Sequence, residues 1–136
     1  MTRILFDTHA FLWSRLSPDR LGQARALLEN PDTTLLLSAV SSWEIAIKWS
    51  LGKLDLPEPP SRYIPARMQL DSLQGLPVEH SHALAVADLP HLHRDPFDRL
   101  LVAQAIAENV RIATADPSIR QYDPPILWLG APDQSQ

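Results

Sequence analysis

Asp7, Glu44, Asp98 and Asp116 stand at the edges of apolar segments, where a surface charge has little to do. Asp7 ends Arg3-Ile4-Leu5-Phe6, and Glu44 interrupts Trp43-Glu44-Ile45-Ala46-Ile47. Asp98 opens Leu100-Leu101-Val102-Ala103, and Asp116 closes Ile112-Ala113-Thr114-Ala115. Carboxylates gathered in one place repel each other and raise each other's pKa unless cations neutralise them. An all-oxygen donor set of this kind suits a hard divalent cation. Taken singly, each acid also has a structural explanation. Asp7 can cap a helix that starts at Thr8. Glu44 can pair with Lys48 one helical turn on. Asp95-Pro96-Phe97-Asp98 reads as a capping box, and Asp116-Pro117 as a cap followed by a first-position proline.

The elements that must position these acids alternate. Short apolar strands are expected at Arg3–Asp7, Thr33–Leu37, Leu76–Val78, Val110–Thr114 and Pro125–Leu129. Helices are expected at Thr8–Trp13, Asp19–Asn30, from Ser38 or Ser41 to Gly52, at Ser61–Leu73, Ser81–Leu89 and Pro96–Asn109. In the third helix Val40, Trp43, Ile47 and Leu51 read as a core stripe. Ile45 and Trp49 form a second stripe, placed either against a partner or beneath the Pro-rich connection that follows. In Ser81–Leu89 the core register falls on Ala83, Leu84 and Ala87. Strands alternating with helices predict an α/β fold with a mostly parallel sheet of four to five strands. Ligands of such sheets bind beyond the carboxyl ends of the strands. Asp7 and Asp116 fall at two such ends, and Glu44 and Asp98 in the first turns of helices that reach the same edge.

A chain of 136 residues fits one domain, expected over residues 1–130, with a polar tail at 131–136. There are no cysteines, so disulfides and thiolate metal sites are excluded, which fits a reducing cytoplasm. No apolar run approaches the roughly 18 residues of a membrane span. The net charge of −4 argues against a broad electrostatic grip on nucleic acid. Local grips remain open through Arg94, Arg99 and Lys48. His91-Leu92-His93 lacks a third zinc ligand at useful spacing. His9, two residues after Asp7, fits either a substrate contact or a polar rim. Four glycines and no Gly-rich loop exclude the common nucleotide-binding motifs, and no serine sits in a nucleophile-elbow setting.

Four strings together resemble the PIN-domain family, and within it the VapC-type toxins of bacterial type II toxin–antitoxin systems. They are Asp7-Thr8-His9-Ala10-Phe11-Leu12-Trp13, the Ser41-to-Lys48 segment, the His93-to-Ala105 segment and Thr114-Ala115-Asp116. The resemblance implies a three-layer α/β/α fold and metal-dependent hydrolysis of RNA. It makes Asp7, Glu44, Asp98 and Asp116 the catalytic, metal-binding acids for Mg²⁺ or Mn²⁺, with Asp7 and Asp98 as the foremost ligands and Thr114 in support. It implies a homodimer and a cognate antitoxin as partners. The fourth string departs from the family at Ala115, where relatives often carry arginine. A non-catalytic interaction module on the same fold is the alternative. An Asp7-dependent phosphatase is a weaker one, because the usual second aspartate, two residues on, is His9.

Overall fold

Five short strands form one parallel sheet in the order β3-β2-β1-β4-β5. They are β1 (Thr2–Phe6), β2 (Thr33–Ser38), β3 (Gln74–Leu76), β4 (Arg111–Thr114) and β5 (Ile126–Trp128). The computed structural model describes residues 2–130, so the expected tail at 131–136 lies outside the described residues. Side chains alternate across the sheet as the pleat demands. Ile4, Phe6, Leu35, Leu37 and Ala113 point into one core, Leu5, Leu36 and Ile112 into the other. The first core is covered by α1 (Thr8–Leu16), α2 (Arg25–Leu28) and α4 (Pro60–Leu70). The second is covered by α6 (Pro96–Glu108) and α7 (Pro117–Arg120). The result is the expected three-layer α/β/α sandwich. α3 (Ala39–Ser50) straddles the layers, sending Ile45 to the first core and Val40 to the second. α5 (His80–Ala85) packs on α6.

All five strands run the same way, so the chain leaves each of them at one edge, and helices start there. Asp7 caps α1, Ser38 caps α3 and Asp116 caps α7, each through a side-chain oxygen that accepts a backbone N–H. Asp95 does the same for α6. Asn109 in the left-handed region ends α6.

Three expectations fail. The buried face of α3 runs through Val40, Ser41, Glu44 and Ile45, while Trp43 is 60 % exposed and Leu51 61 %. Of the stripe expected to be core only Val40 is fully buried; Trp43 and Leu51 face outward, and Glu44 takes a place on the buried face. Ile45 belongs to the core rather than to a partner-facing stripe, and Trp49 stays partly exposed. In α5 the register is also displaced: Leu84 is 72 % exposed, and the buried residue is His82. Finally, the helix expected over Asp19–Asn30 is broken. Gly22 adopts φ +57°, which kinks the chain inside a tight 3₁₀ stretch at Pro18–Ala24, and only the short α2 follows. β3 starts two residues earlier than expected, at Gln74.

Candidate active site

The four acids arrive at the same edge from four elements. Asp7 follows β1, Glu44 lies in α3, Asp98 in the first turn of α6, and Asp116 follows β4. Asp7 is buried, and its Oδ1 accepts the Ala10 N–H at 2.7 Å. Burial pushes its pKa up from 3.8 to about 6, and the charges of Asp116 and Glu44 push the same way. The Thr114 hydroxyl bonds the Asp7 carboxylate and resists the shift. Thr114 Oγ1 also accepts the Asp116 N–H at 3.0 Å, so one buried hydroxyl ties the ends of two strands together.

Asp98 is pushed further, to about 7. Partial burial is the largest cause, followed by the charge of Asp95, with Asp7 and Glu44 adding to it; a bond from His93 opposes them. Asp98 therefore does not close a capping box. Its Oδ2 meets His93 Nε2 at 3.0 Å, and Asp95 alone caps the helix. Glu44, 3 % exposed, has both oxygens engaged: Thr8 Oγ1 donates to Oε1 at 2.7 Å and Lys48 Nζ to Oε2 at 2.6 Å. Asp116 Oδ1 accepts the Ser118 N–H at 2.8 Å, and Oδ2 lies 4.0 Å from His93 Nε2.

His93 is the residue that sequence reasoning missed. His93, Asp98 and Asp116 offer ligand atoms that all lie within 4.8 Å of one another. The signal was available: His93 opens the third string, and Asp95-Pro96 turns the chain there, so a loop residue folds back over the first turn of α6. His91, its companion in the discounted zinc reading, is exposed. The His93 loop is held from behind. Tyr122 Oη accepts the His93 N–H at 2.7 Å, and Arg99 donates to the same oxygen at 3.1 Å. Arg99 also donates to the carbonyls of Pro90 and Val86, at 3.0 and 3.2 Å. Buried and bonded to three oxygens, Arg99 is a brace for this loop, and the expected phosphate contact does not fit it. Lys48 is committed to Glu44. Arg94 is exposed.

The donor set fits a divalent cation. One lysine faces four acids, and it neutralises only Glu44. Two carboxyls, Asp7 and Asp98, are driven towards protonation by burial and by the neighbouring acids. A hard cation held by Asp98 and Asp116, with Asp7 beside them, would relieve that repulsion, and the His93 imidazole would either orient Asp98 or add a nitrogen ligand. Beside the acids a cavity of about 440 Å³ opens between Asp7, Asp116, His9, Trp13 and Arg20.

Comparison with known proteins meets this geometry directly. The family model described as PIN domain matches residues 4–124. The chain belongs to the PIN domain family. Two curated relatives of this PIN domain come from Mycobacterium tuberculosis (strain ATCC 25618 / H37Rv). Ribonuclease VapC22 is 27 % identical over 126 residues, 92 % of this chain and 95 % of that protein. Ribonuclease VapC16 is 44 % identical over 68 residues, 50 % of this chain; the match spans only 48 % of that relative's length. Among solved structures the PIN domain is similar in fold to VapBC2 from Rickettsia felis bound to a promoter DNA fragment, with TM-score 0.67, 17 % identity, and 93 % and 97 % of the two chains covered. It is likewise similar to FitAcB from Neisseria gonorrhoeae, with TM-score 0.65, 20 % identity and the same coverage.

Proposed function

We propose that this PIN domain is a Mg²⁺- or Mn²⁺-dependent endoribonuclease and the toxin of a toxin–antitoxin pair. The observation that carries the reading is the convergence of four acids, two of them with strongly raised pKa, at the strand carboxyl edge of a PIN fold. The relatives named as VapC ribonucleases support the substrate class. Asp7, Asp98 and Asp116 would hold the cation, with Glu44 and His93 at its margin. When bound, the ion supplies an activated water and positive charge against the developing charge on the phosphate. The protein's part is placement. Thr114 orients Asp7 and fixes Asp116 beside it. Thr8 and Lys48 lock Glu44. Tyr122 and Arg99 hold the loop that sets His93 against Asp98.

Partners follow from the same reading. A cognate antitoxin would cover the rim where Trp43 stands exposed next to Glu44, edge-to-face on Phe97 at 5.0 Å between ring centroids. A homodimer is the expected assembly. No helix among the described residues is long and apolar enough to cross a membrane. The test is RNA cleavage by the purified chain. Cleavage should require Mg²⁺ or Mn²⁺, stop with EDTA, and be lost in Asp7→Asn and Asp98→Asn. Equal rates in all of these conditions would overturn the nuclease reading and favour a non-catalytic interaction module.

A further inference from the structure

The acids account for cutting but not for holding RNA. With a net charge of −4, and with Lys48 and Arg99 committed elsewhere, the grip must be local. The cavity beside Asp7 and Asp116 has a cationic aromatic wall. Arg20 lays its guanidinium carbon 4.2 Å from the centre of the Trp13 ring, and the His9 ring lies 6.3 Å from the same indole. Arg20 is exposed and forms no ion pair among the described residues. Ala115, which also lines this cavity, presents only a methyl group.

Arg20 also lines a second cavity, of about 400 Å³, whose wall contains Trp128. Trp128 carries an arginine too: the Arg120 guanidinium carbon, outside the wall of that cavity, lies 4.6 Å from the centre of the ring. Two indoles, each with an arginine over its face, thus stand along the carboxyl edge of the sheet, Trp128 level with Thr114 in the β4–β5 register, with Arg20 common to both cavities. Arginine over an indole gains from the ring's negative face, yet at an exposed site it gains little and is easily exchanged for another partner. Indole faces bind bases of any sequence by stacking, and freed guanidinium groups bind phosphates. A peptide would find little apolar depth here, whereas a polyanion with flat bases matches both features.

Resting on the nuclease reading, we infer that His9, Trp13 and Arg20 form the substrate-positioning subsite for the nucleotide next to the scissile phosphate. Trp128 and Arg120 continue it for a further nucleotide of single-stranded RNA. Trp13 stacks a base, Arg20 takes a backbone phosphate, and the strand leaves the acids along this wall.

The test uses the full-length chain and fluorescein-labelled single-stranded oligoribonucleotides that it cleaves. Binding is measured in Ca²⁺ and cleavage in Mg²⁺ or Mn²⁺. Trp13→Leu, which keeps apolar bulk against the core, should weaken binding roughly 5-fold to 150-fold. Arg20→Ala should raise KM more than it lowers kcat, and should flatten the slope of log affinity against log salt by about 0.7. Arg120→Ala should have a smaller effect in the same direction. An abasic ribose at the stacked position, found by scanning the sites flanking the cut, should weaken the wild type as much as Trp13→Leu does and weaken Trp13→Leu no further. If the wild type binds and cleaves while all three variants match it in affinity and salt slope, this inference fails and the nuclease reading stands. Wild-type protein that binds no RNA overturns both. Should Trp13→Leu fold poorly, Arg20→Ala and the abasic scan decide alone.

Discussion

Two buried polar clusters bridge helices in this molecule, and they are built on opposite principles. At the acid edge, Asp7, Glu44, Asp98 and Asp116 face one another with a single lysine and one histidine among them. Across the sheet, Ser38 donates to Gln104 Oε1 at 2.6 Å, and Gln104 Nε2 donates to the Pro77 carbonyl at 3.1 Å. His82 continues that chain, meeting Glu108 at 3.0 Å and accepting the Glu79 N–H at 3.0 Å. The second cluster is complete: donors meet acceptors, and α5 is fastened to α6. The first has an excess of one sign. Buried polarity that balances itself is architecture, and buried polarity that does not is waiting for a ligand.

The comparison breaks most visibly in activity. With the proposed ion stabilising the transition state by several kcal/mol, Asp98→Asn should cut RNA cleavage about a thousandfold; single-turnover rates check it. A His82→Ala protein that folds should cleave at the wild-type rate.

Metal-free stability gives the next largest effect. Asp7 titrates at about 6 and Asp98 at about 7, both above the ordinary 3.8. The unfolded chain therefore releases these protons first. Their contribution is fully present below about pH 4 and is lost as pH rises to about 7, on the order of 3 kcal/mol for Asp7 alone. Urea unfolding in EDTA at pH 4.5 and 7.5 measures it. The pH-dependent loss should shrink in Asp98→Asn and be opposed by Mg²⁺ in the wild type; a loss of equal size in the variant would count against the acid cluster.

The balanced cluster should answer differently. His82→Ala removes a buried ring and orphans its partners, which should cost about 2 kcal/mol of stability, with little change on adding Mg²⁺ beyond that of the wild type. The smallest effect sharpens the contrast. Lys48→Gln takes the lone cation from Glu44. Because the lysine is partly exposed, the metal-free protein should lose no more than about 1 kcal/mol. Its thermal shift on adding Mg²⁺ should grow, because Glu44 becomes available to the ion.

The parallel sheet and the convergence of the acids were legible in the sequence, because strand-terminal acids in an alternating α/β chain have only one edge to occupy. What could not be read followed from burial being decided in three dimensions. Trp43 looks like core and Glu44 like surface, yet the fold inverts them: Glu44 faces Thr8 on α1, and Trp43 is left on the outer side of the helix. Leu84 and His82 exchange places for a related reason, since His82 completes a network with Gln104 and Glu108 that no local spacing announces. Gly22 breaks a periodic stretch that otherwise reads as one helix. His93 was overlooked because its value depends on a turn at Pro96 bringing it back to Asp98.

At Asp7 and Asp116 the labour is divided within one side chain. In each, Oδ1 receives the backbone N–H that starts a helix. The amide of asparagine offers an oxygen for that duty equally well. Exchanging a single oxygen for nitrogen at either position can therefore disarm the chain while its helix starts stay in place. Whatever grasps the folded surface would still find it. An inert copy could occupy the same partners as the unaltered chain, and so act as a decoy one atom removed from it.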